Sequence, residues 1–157
     1  MSTLGADTVL SEYMTSDHRR CEALLAQAEQ LASARHWDSG AAAFRALKQA
    51  LAQHLAMEEH VLFPVLEGSR TAPAGPADTM RLEHEEIREL LAELSKALKS
   101  RDRDAFLKRS GTLRILMQRH NLKEERALYP LAEQILGDSA AEVLKAMRHV
   151  AVDMEAG

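Results

Sequence analysis

One cysteine, Cys21, is all the chain contains, so no internal disulfide can staple it, which fits a reducing compartment. Prolines number only four in 157 residues, and apolar residues recur at helical spacing almost throughout. No strand pattern competes, and the chain reads as all-α. The opening stretch from Met1 to Met14 has neither a basic residue nor a long apolar run. Neither a secretory signal nor a membrane span is therefore expected there, and the protein is expected in the cytoplasm. A surplus of one charge is also missing: 20 Lys and Arg against 24 Asp and Glu leave a formal charge of -4, with both signs interleaved. That argues against a nucleic-acid surface, which gathers Lys and Arg on one face. The length suits one domain, residues 1–157, around a single sizeable core.

What is present is a repeat. Adding 66 to a residue number carries His18 onto His84, His54 onto His120, Glu58 onto Glu124 and Pro64 onto Pro130. Around the second and third pairs, His54-x-x-x-Glu58-Glu59-x-x-x-Phe63-Pro64 matches His120-x-x-x-Glu124-Glu125-x-x-x-Tyr129-Pro130. The pseudo-repeats span about residues 8–68 and 76–136, with the Pro/Gly-rich stretch from Gly68 to Pro76 as the linker between them.

Each repeat predicts a helical hairpin. A first helix follows an Asp7 N-cap, carries Met14, His18, Cys21, Leu25, Ala28 and Ala32 inward, and stops near Arg35. Asp38 is expected to cap a second, whose stripe is Phe44, Leu47, Leu51, His54, Glu58, Val61 or Leu62, and Val65, with Gly68 at its end. Pro76 suits the first turn of a third helix, striped by Met80, His84, Ile87, Leu91, Leu94 and Leu98 and fraying at Lys99 to Arg101. A fourth follows a cap at or near Asp102, with Phe106, Ser110, Leu113, Met117, His120, Glu124, Leu128 and Leu131 inward and Gly137 closing it. A capping-box-like Ser139-x-x-Glu142 introduces a short fifth helix. The expected architecture is an antiparallel up-down-up-down four-helix bundle with a short extra C-terminal helix. Pro64 and Pro130 predict a kink or early fraying, either as plain helix stops or as features that shape a site.

Antiparallel helices bring residues level when they are equidistant from the connecting loop. The midpoints of His18 and His54 (36), of His84 and His120 (102), and of His54 and His84 (69) all fall in predicted loops. All four histidines thus share one level of the bundle. Glu58 and Glu124, one turn beyond His54 and His120 and about 40° round the helix, face the same interior. Buried carboxylates without partners cost several kcal/mol each, so a cation must offset them. Four imidazoles and two carboxylates suit two first-row transition ions: His18 and His54 on one, His84 and His120 on the other, the glutamates bridging. Zinc or another divalent ion also fits this donor set. Ferritin-like sites differ, because they use Glu-x-x-His in the opposite order with a step of three.

These residues resemble the hemerythrin-like family, also called the HHE cation-binding domain, from about His18 to Pro130. The shared pattern is a lone histidine on the first and third helices and His-x-x-x-Glu followed by aromatic-Pro on the second and fourth. The resemblance implies a non-haem di-iron centre with His18, His54, Glu58, His84, His120 and Glu124 as ligands and an oxo or hydroxo bridge. It does not imply one activity. Oxygen-carrying members place a fifth ligand histidine where this chain has Arg88. The four-His, two-Glu set is similar to bacterial proteins linked to repair of iron-sulfur centres after nitric oxide or peroxide damage. Those usually carry an extra cysteine-bearing amino-terminal domain, and only about 17 residues precede His18 here.

Of the remaining candidates, Cys21 reads as a small buried apolar residue, which its counterpart Ile87 supports, with a place near the metals on the His18 face as the alternative. His36, His60 and His149 read as surface residues, and Glu59 and Glu125 as pointing away from the ligands five residues before them. Asp17 and Glu83, which precede the lone histidines, are expected in solvent, with support of a ligand histidine as the alternative. Tyr13 and Tyr129 are the only tyrosines, and either can serve a bound ligand if it reaches the cavity. The function expected is binding or sensing of dioxygen or nitric oxide, or iron handling under oxidative or nitrosative stress. The alternative is an enzyme acting on peroxide or nitric oxide, or in cluster repair. Partners would be such small molecules and an unspecified redox protein, with a homodimer as the oligomer to test.

Overall fold

The helical periodicity becomes four long helices in the computed structural model, which describes residues 9–69 and 76–150. They are α1 (Val9–Ser33), α2 (Trp37–Met57), α4 (Pro76–Lys99) and α5 (Arg103–Lys123). Beyond α2 the chain passes without a break through a π-helical turn, Glu58–Leu62, into the short α3, Phe63–Glu67. Beyond α5 it passes through a second π turn, Glu124–Leu128, into α6, Tyr129–Leu136. A 3₁₀ turn, Gly137–Ser139, leads to α7, Ala140–Arg148. No strand occurs among the described residues. None of the described helices is long and apolar enough to cross a membrane.

The repeat extends to the backbone. Arg35 and Arg101, 66 residues apart, both take left-handed φ, 59° and 52°. In each connection a backbone amide just past the left-handed residue closes a six-residue loop: His36 N–H donates to Leu31 O (2.8 Å) and Asp102 N–H to Ala97 O (2.9 Å). This Schellman-type end folds the next helix back along the last. Hence Asp17 lies beside His54 and Glu83 beside His120. Asp102 caps α5 as expected, accepting from Ala105 N–H at 3.1 Å. The first hairpin differs: α2 starts at Trp37, two residues early for a cap at Asp38, and His36 at the cap position gives no side-chain bond. Asp38 therefore sits in the first turn, where its charge complements the helix dipole. Ser139 closes the 3₁₀ turn without bonding a helix amide, so the capping box does not form. The proposed Asp7 cap and residues 70–75 of the linker lie outside the described residues, but Glu133 accepts the Ser11 N–H at 2.7 Å and so satisfies one free amide of α1.

Neither helix stops at its proline. A proline ring collides with the carbonyl four residues earlier. The π turns, where Phe63 N–H donates to Glu58 O and Tyr129 N–H to Glu124 O, insert one extra residue ahead of Pro64 and Pro130 and let the helix continue. The inward stripe then slips by one position. Leu66 and Ala132 are buried where a straight α-helix would bury Val65 and Leu131.

Packing divides into two apolar clusters. One, nearest the hairpin loops, includes Leu25, Phe44, Leu47, Leu94, Phe106 and Leu113. The other, around the π turns and α7, includes Leu10, Met14, Leu62, Phe63, Met80, Tyr129 and Met147. Between them lies a layer of buried polar side chains.

Candidate metal centre

That layer holds His18, His54, Glu58, His84, His120 and Glu124, none more than 2% exposed. Their inner atoms form two groups, His18, His54, Glu58 and Glu124 on one side and Glu58, His84, His120 and Glu124 on the other, with one potential ligand atom from each residue within 4.8 Å of the others in its group. Both glutamates belong to both groups, as bridging carboxylates would.

Each imidazole is oriented from behind by a carboxylate. His18 Nδ1 lies 2.6 Å from Glu125, His54 Nδ1 2.7 Å from Asp17, His84 Nδ1 2.6 Å from Glu59, and His120 Nδ1 2.8 Å from Glu83. An ionised carboxylate only accepts, so every Nδ1 must donate. A neutral imidazole then carries its lone pair on the inward Nε2. Each supporting carboxylate is held in turn by a cation: Glu125 by Arg19, Asp17 by Arg20, Glu59 by Arg88 and Glu83 by Lys123. Two of the four carboxylates follow the repeat onto the other two, Asp17 onto Glu83 and Glu59 onto Glu125. These contacts correct the solvent-facing expectation for Asp17 and Glu83 and bear out their alternative, support of a ligand histidine. Asp17 is 7% exposed, not solvated, and Glu83 is largely covered. Glu59 and Glu125 point away from the histidine of their own helix because they reach the histidine of a neighbouring one. Arg88, at the position of the absent fifth histidine, donates to Glu59 at 2.7 Å and to Glu85 at 2.8 Å.

The electrostatics follow from this crowding. Burial acts to lower the pKa of His54, but the charge of Glu58 and hydrogen bonds to Asp17, Glu124 and Glu58 outweigh it and hold it well above the ordinary value. Burial likewise opposes, and the Glu124 charge overcomes it, at His120, whose pKa rises to about 9. His84 is raised in the same way, against burial, by Glu58 and Glu59. Burial would raise Glu59, yet the bonds from His84 and Arg88 bring it down to about 2. For Glu124, too, burial is overcome, by His120 first, and its pKa lies well below the carboxylate range.

Whether a cation fits can be judged from unpartnered atoms. Glu58 Oε1, His84 Nε2, His120 Nε2 and Glu124 Oε2 are buried with no hydrogen-bond partner. Glu58 Oε1 and His84 Nε2 are 3.0 Å apart but misaligned for a hydrogen bond with each other. Four converging, unsatisfied donor atoms of nitrogen and carboxylate oxygen are a costly arrangement for a core and a suitable one for a divalent ion.

The family comparison bears on the same segment. A family model described as Hemerythrin HHE cation binding domain matches residues 9–132. The chain belongs to that family. No curated protein and no solved structure gives a significant match. The hemerythrin HHE match covers both hairpins and every residue of the two His/Glu groups.

One residue enters the hemerythrin-like site with an importance that helical spacing does not reveal. Tyr129 is fully buried, with its hydroxyl 2.6 Å from Glu58 Oε2, 2.9 Å from Glu124 Oε1, 3.1 Å from His18 Nε2 and 3.4 Å from His54 Nε2. An α-helix turns a residue five positions on by about 140°. The second π turn reduces that rotation and brings Tyr129 over Glu124. Burial and the two carboxylates push its phenol pKa well up, so it stays a proton donor. Tyr13 instead lies under the Arg148 guanidinium, 5.3 Å from its ring centre. Cys21 is buried, and burial pushes its thiol up to about 11. It shares the wall of a cavity of about 10 Å³ with His18, His54, His120, Ile87 and Met117. His36, His60 and His149 are exposed, as expected.

Proposed function

We propose that this single-domain, cytoplasmic protein is an antiparallel up-down-up-down four-helix bundle with a short C-terminal helix, and that its interior holds a non-haem di-iron centre. His18 and His54 would hold one ion and His84 and His120 the other, with Glu58 and Glu124 shared and an oxo or hydroxo bridge completing the pair. Iron there supplies redox chemistry and open coordination positions for a small ligand. The function proposed is binding or sensing of dioxygen or nitric oxide, or iron handling under oxidative or nitrosative stress. The observation that carries this reading is the pair of four-donor groups sharing both carboxylates. The chain's own residues orient each Nε2, exclude water and, through Tyr129, offer one hydroxyl proton at the site. That proton is the observation favouring the second reading, an enzyme acting on peroxide or nitric oxide.

The test is metal content after purification without added metal, followed by visible spectra in air, after reduction and with nitric oxide. Two irons per chain and a spectrum that responds to nitric oxide are expected. A colourless, zinc-loaded protein indifferent to these treatments overturns the di-iron reading. Steady turnover of peroxide or nitric oxide moves the function to the enzyme.

A further inference from the structure

The two halves of the centre are near copies, and the ring packed on the first histidine of each differs in one chemical group. Phe63 packs on His84 and Tyr129 on His18 with the same geometry, ring centres 5.6 Å apart and planes at 27° in both. The rings correspond under the repeat, and the difference is a hydroxyl group. Its effect on hydrogen bonding is large. The hydroxyl lies within hydrogen-bonding distance of all four inner donor atoms of the His18 and His54 group. The unpartnered buried atoms, by contrast, all belong to the His84 and His120 group.

We propose that Tyr129 makes the two metal positions inequivalent, so that the His84 and His120 position fills first and the His18 and His54 position, whose donors the Tyr129 hydroxyl already engages, fills second and more weakly. This rests on the metal-binding reading above and adds an order of loading to it. The physical cause is the difference in what an incoming ion displaces. At the His84 and His120 position it relieves buried atoms that have no partner. At the other position it must compete with the hydrogen bond that the one phenol proton makes among these atoms, a disadvantage of about tenfold in affinity for a buried bond to a carboxylate. Phe63 supplies an internal control, because Phe63→Tyr would place the same hydroxyl on the opposite group.

The experiment is calorimetric titration of the metal-stripped full chain with ferrous iron under anaerobic conditions, for the wild type, Tyr129→Phe and Phe63→Tyr, with helicity checked by circular dichroism. The wild type is expected to take two equivalents in two resolved events. Tyr129→Phe should tighten the weaker event about tenfold and leave the stronger one in place. Phe63→Tyr should weaken the stronger event by a similar factor, and it decides the matter alone if Tyr129→Phe does not fold. Loss of affinity in the weaker event of Tyr129→Phe would make the phenol a ligand and overturn the proposal, as would an unchanged separation in both variants. Fewer than two equivalents in the wild type, or binding that survives both His54→Ala and His84→Ala, would overturn the metal reading itself and the loading order with it.

Discussion

Asp17 shows how much of the site depends on side chains that touch no inner atom. Its carboxylate takes the His54 Nδ1 proton at 2.7 Å and is itself clasped by Arg20. Without that acceptor the imidazole is free to rotate and to change tautomer, and Nε2 no longer presents a fixed lone pair. Asp17→Asn keeps the shape and loses the charge. Its metal affinity is expected to fall tenfold to a hundredfold with helicity unchanged, as measured by competition against a chelator. An affinity equal to the wild type would show that the carboxylate does not tune the histidine. The same residues predict a two-sided pH profile for the metal-stripped protein. His120 has a folded pKa of about 9 against an ordinary 6.5, so its contribution to stability is complete below pH 6.5 and disappears as the pH rises through 9. Glu59 is depressed from 4.5 to about 2, so its contribution is complete above pH 4.5 and disappears as the pH falls through 2. Asp17 and Glu83 are depressed as well and add to the acid limb. Thermal denaturation of chelator-treated protein should therefore peak near pH 5 to 6 and fall on both sides, each group contributing at most about 1.4 kcal/mol per pH unit within its window. A flat alkaline limb would contradict the assignment at His120.

At the level of the helices, what could be read from the sequence depended on where the α-period holds. His18, His54, Glu58, His84, His120 and Glu124 all precede or open the π turns, and their spacing was enough to predict that they converge. Leu66, Ala132 and Tyr129 come after those turns, where one extra residue shifts the phase, so a uniform 3.6-residue repeat misplaces them. The motif offered a sign in its duplicated prolines, each of which needs relief from a ring clash inside a continuing helix. Asp17 and Glu83 were visible as a repeated pair, yet spacing alone does not distinguish a carboxylate facing water from one facing the next helix. The helix ends give their own predictions. Arg101 sits at φ 52°, a left-handed conformation that costs an ordinary residue about 1 kcal/mol, and Arg101→Gly is expected to stabilise the protein by about 0.5–1 kcal/mol in urea denaturation. Asp102→Ala removes the acceptor for Ala105 N–H and should cost about 1 kcal/mol in the same assay. If neither change moves the midpoint, the second hairpin connection is not formed as described.

Across the whole molecule, the polar layer lies between two apolar clusters, which sets the proposed ion-binding groups apart from the side chains that pack the fold. The cluster near the hairpin loops contains Phe106, fully buried and meeting Phe44 edge to face with ring centres 6.1 Å apart. None of its members is one of the six His and Glu donors. Phe106→Ala opens a cavity there and is expected to cost about 3–5 kcal/mol in urea denaturation of the metal-stripped protein, while the folded variant still binds two ions per chain. His54→Ala acts in the opposite sense. It removes one inner nitrogen and leaves Asp17 without its imidazole partner, so metal should be lost from its position and with it the stabilisation that bound metal adds to the native state. Measured with and without ferrous iron, the wild type and Phe106→Ala should gain similar stability from the ion, and His54→Ala much less. If Phe106→Ala instead lost metal in proportion to stability, the clusters and the polar layer would form one cooperative unit. The metal would then be part of what folds the chain.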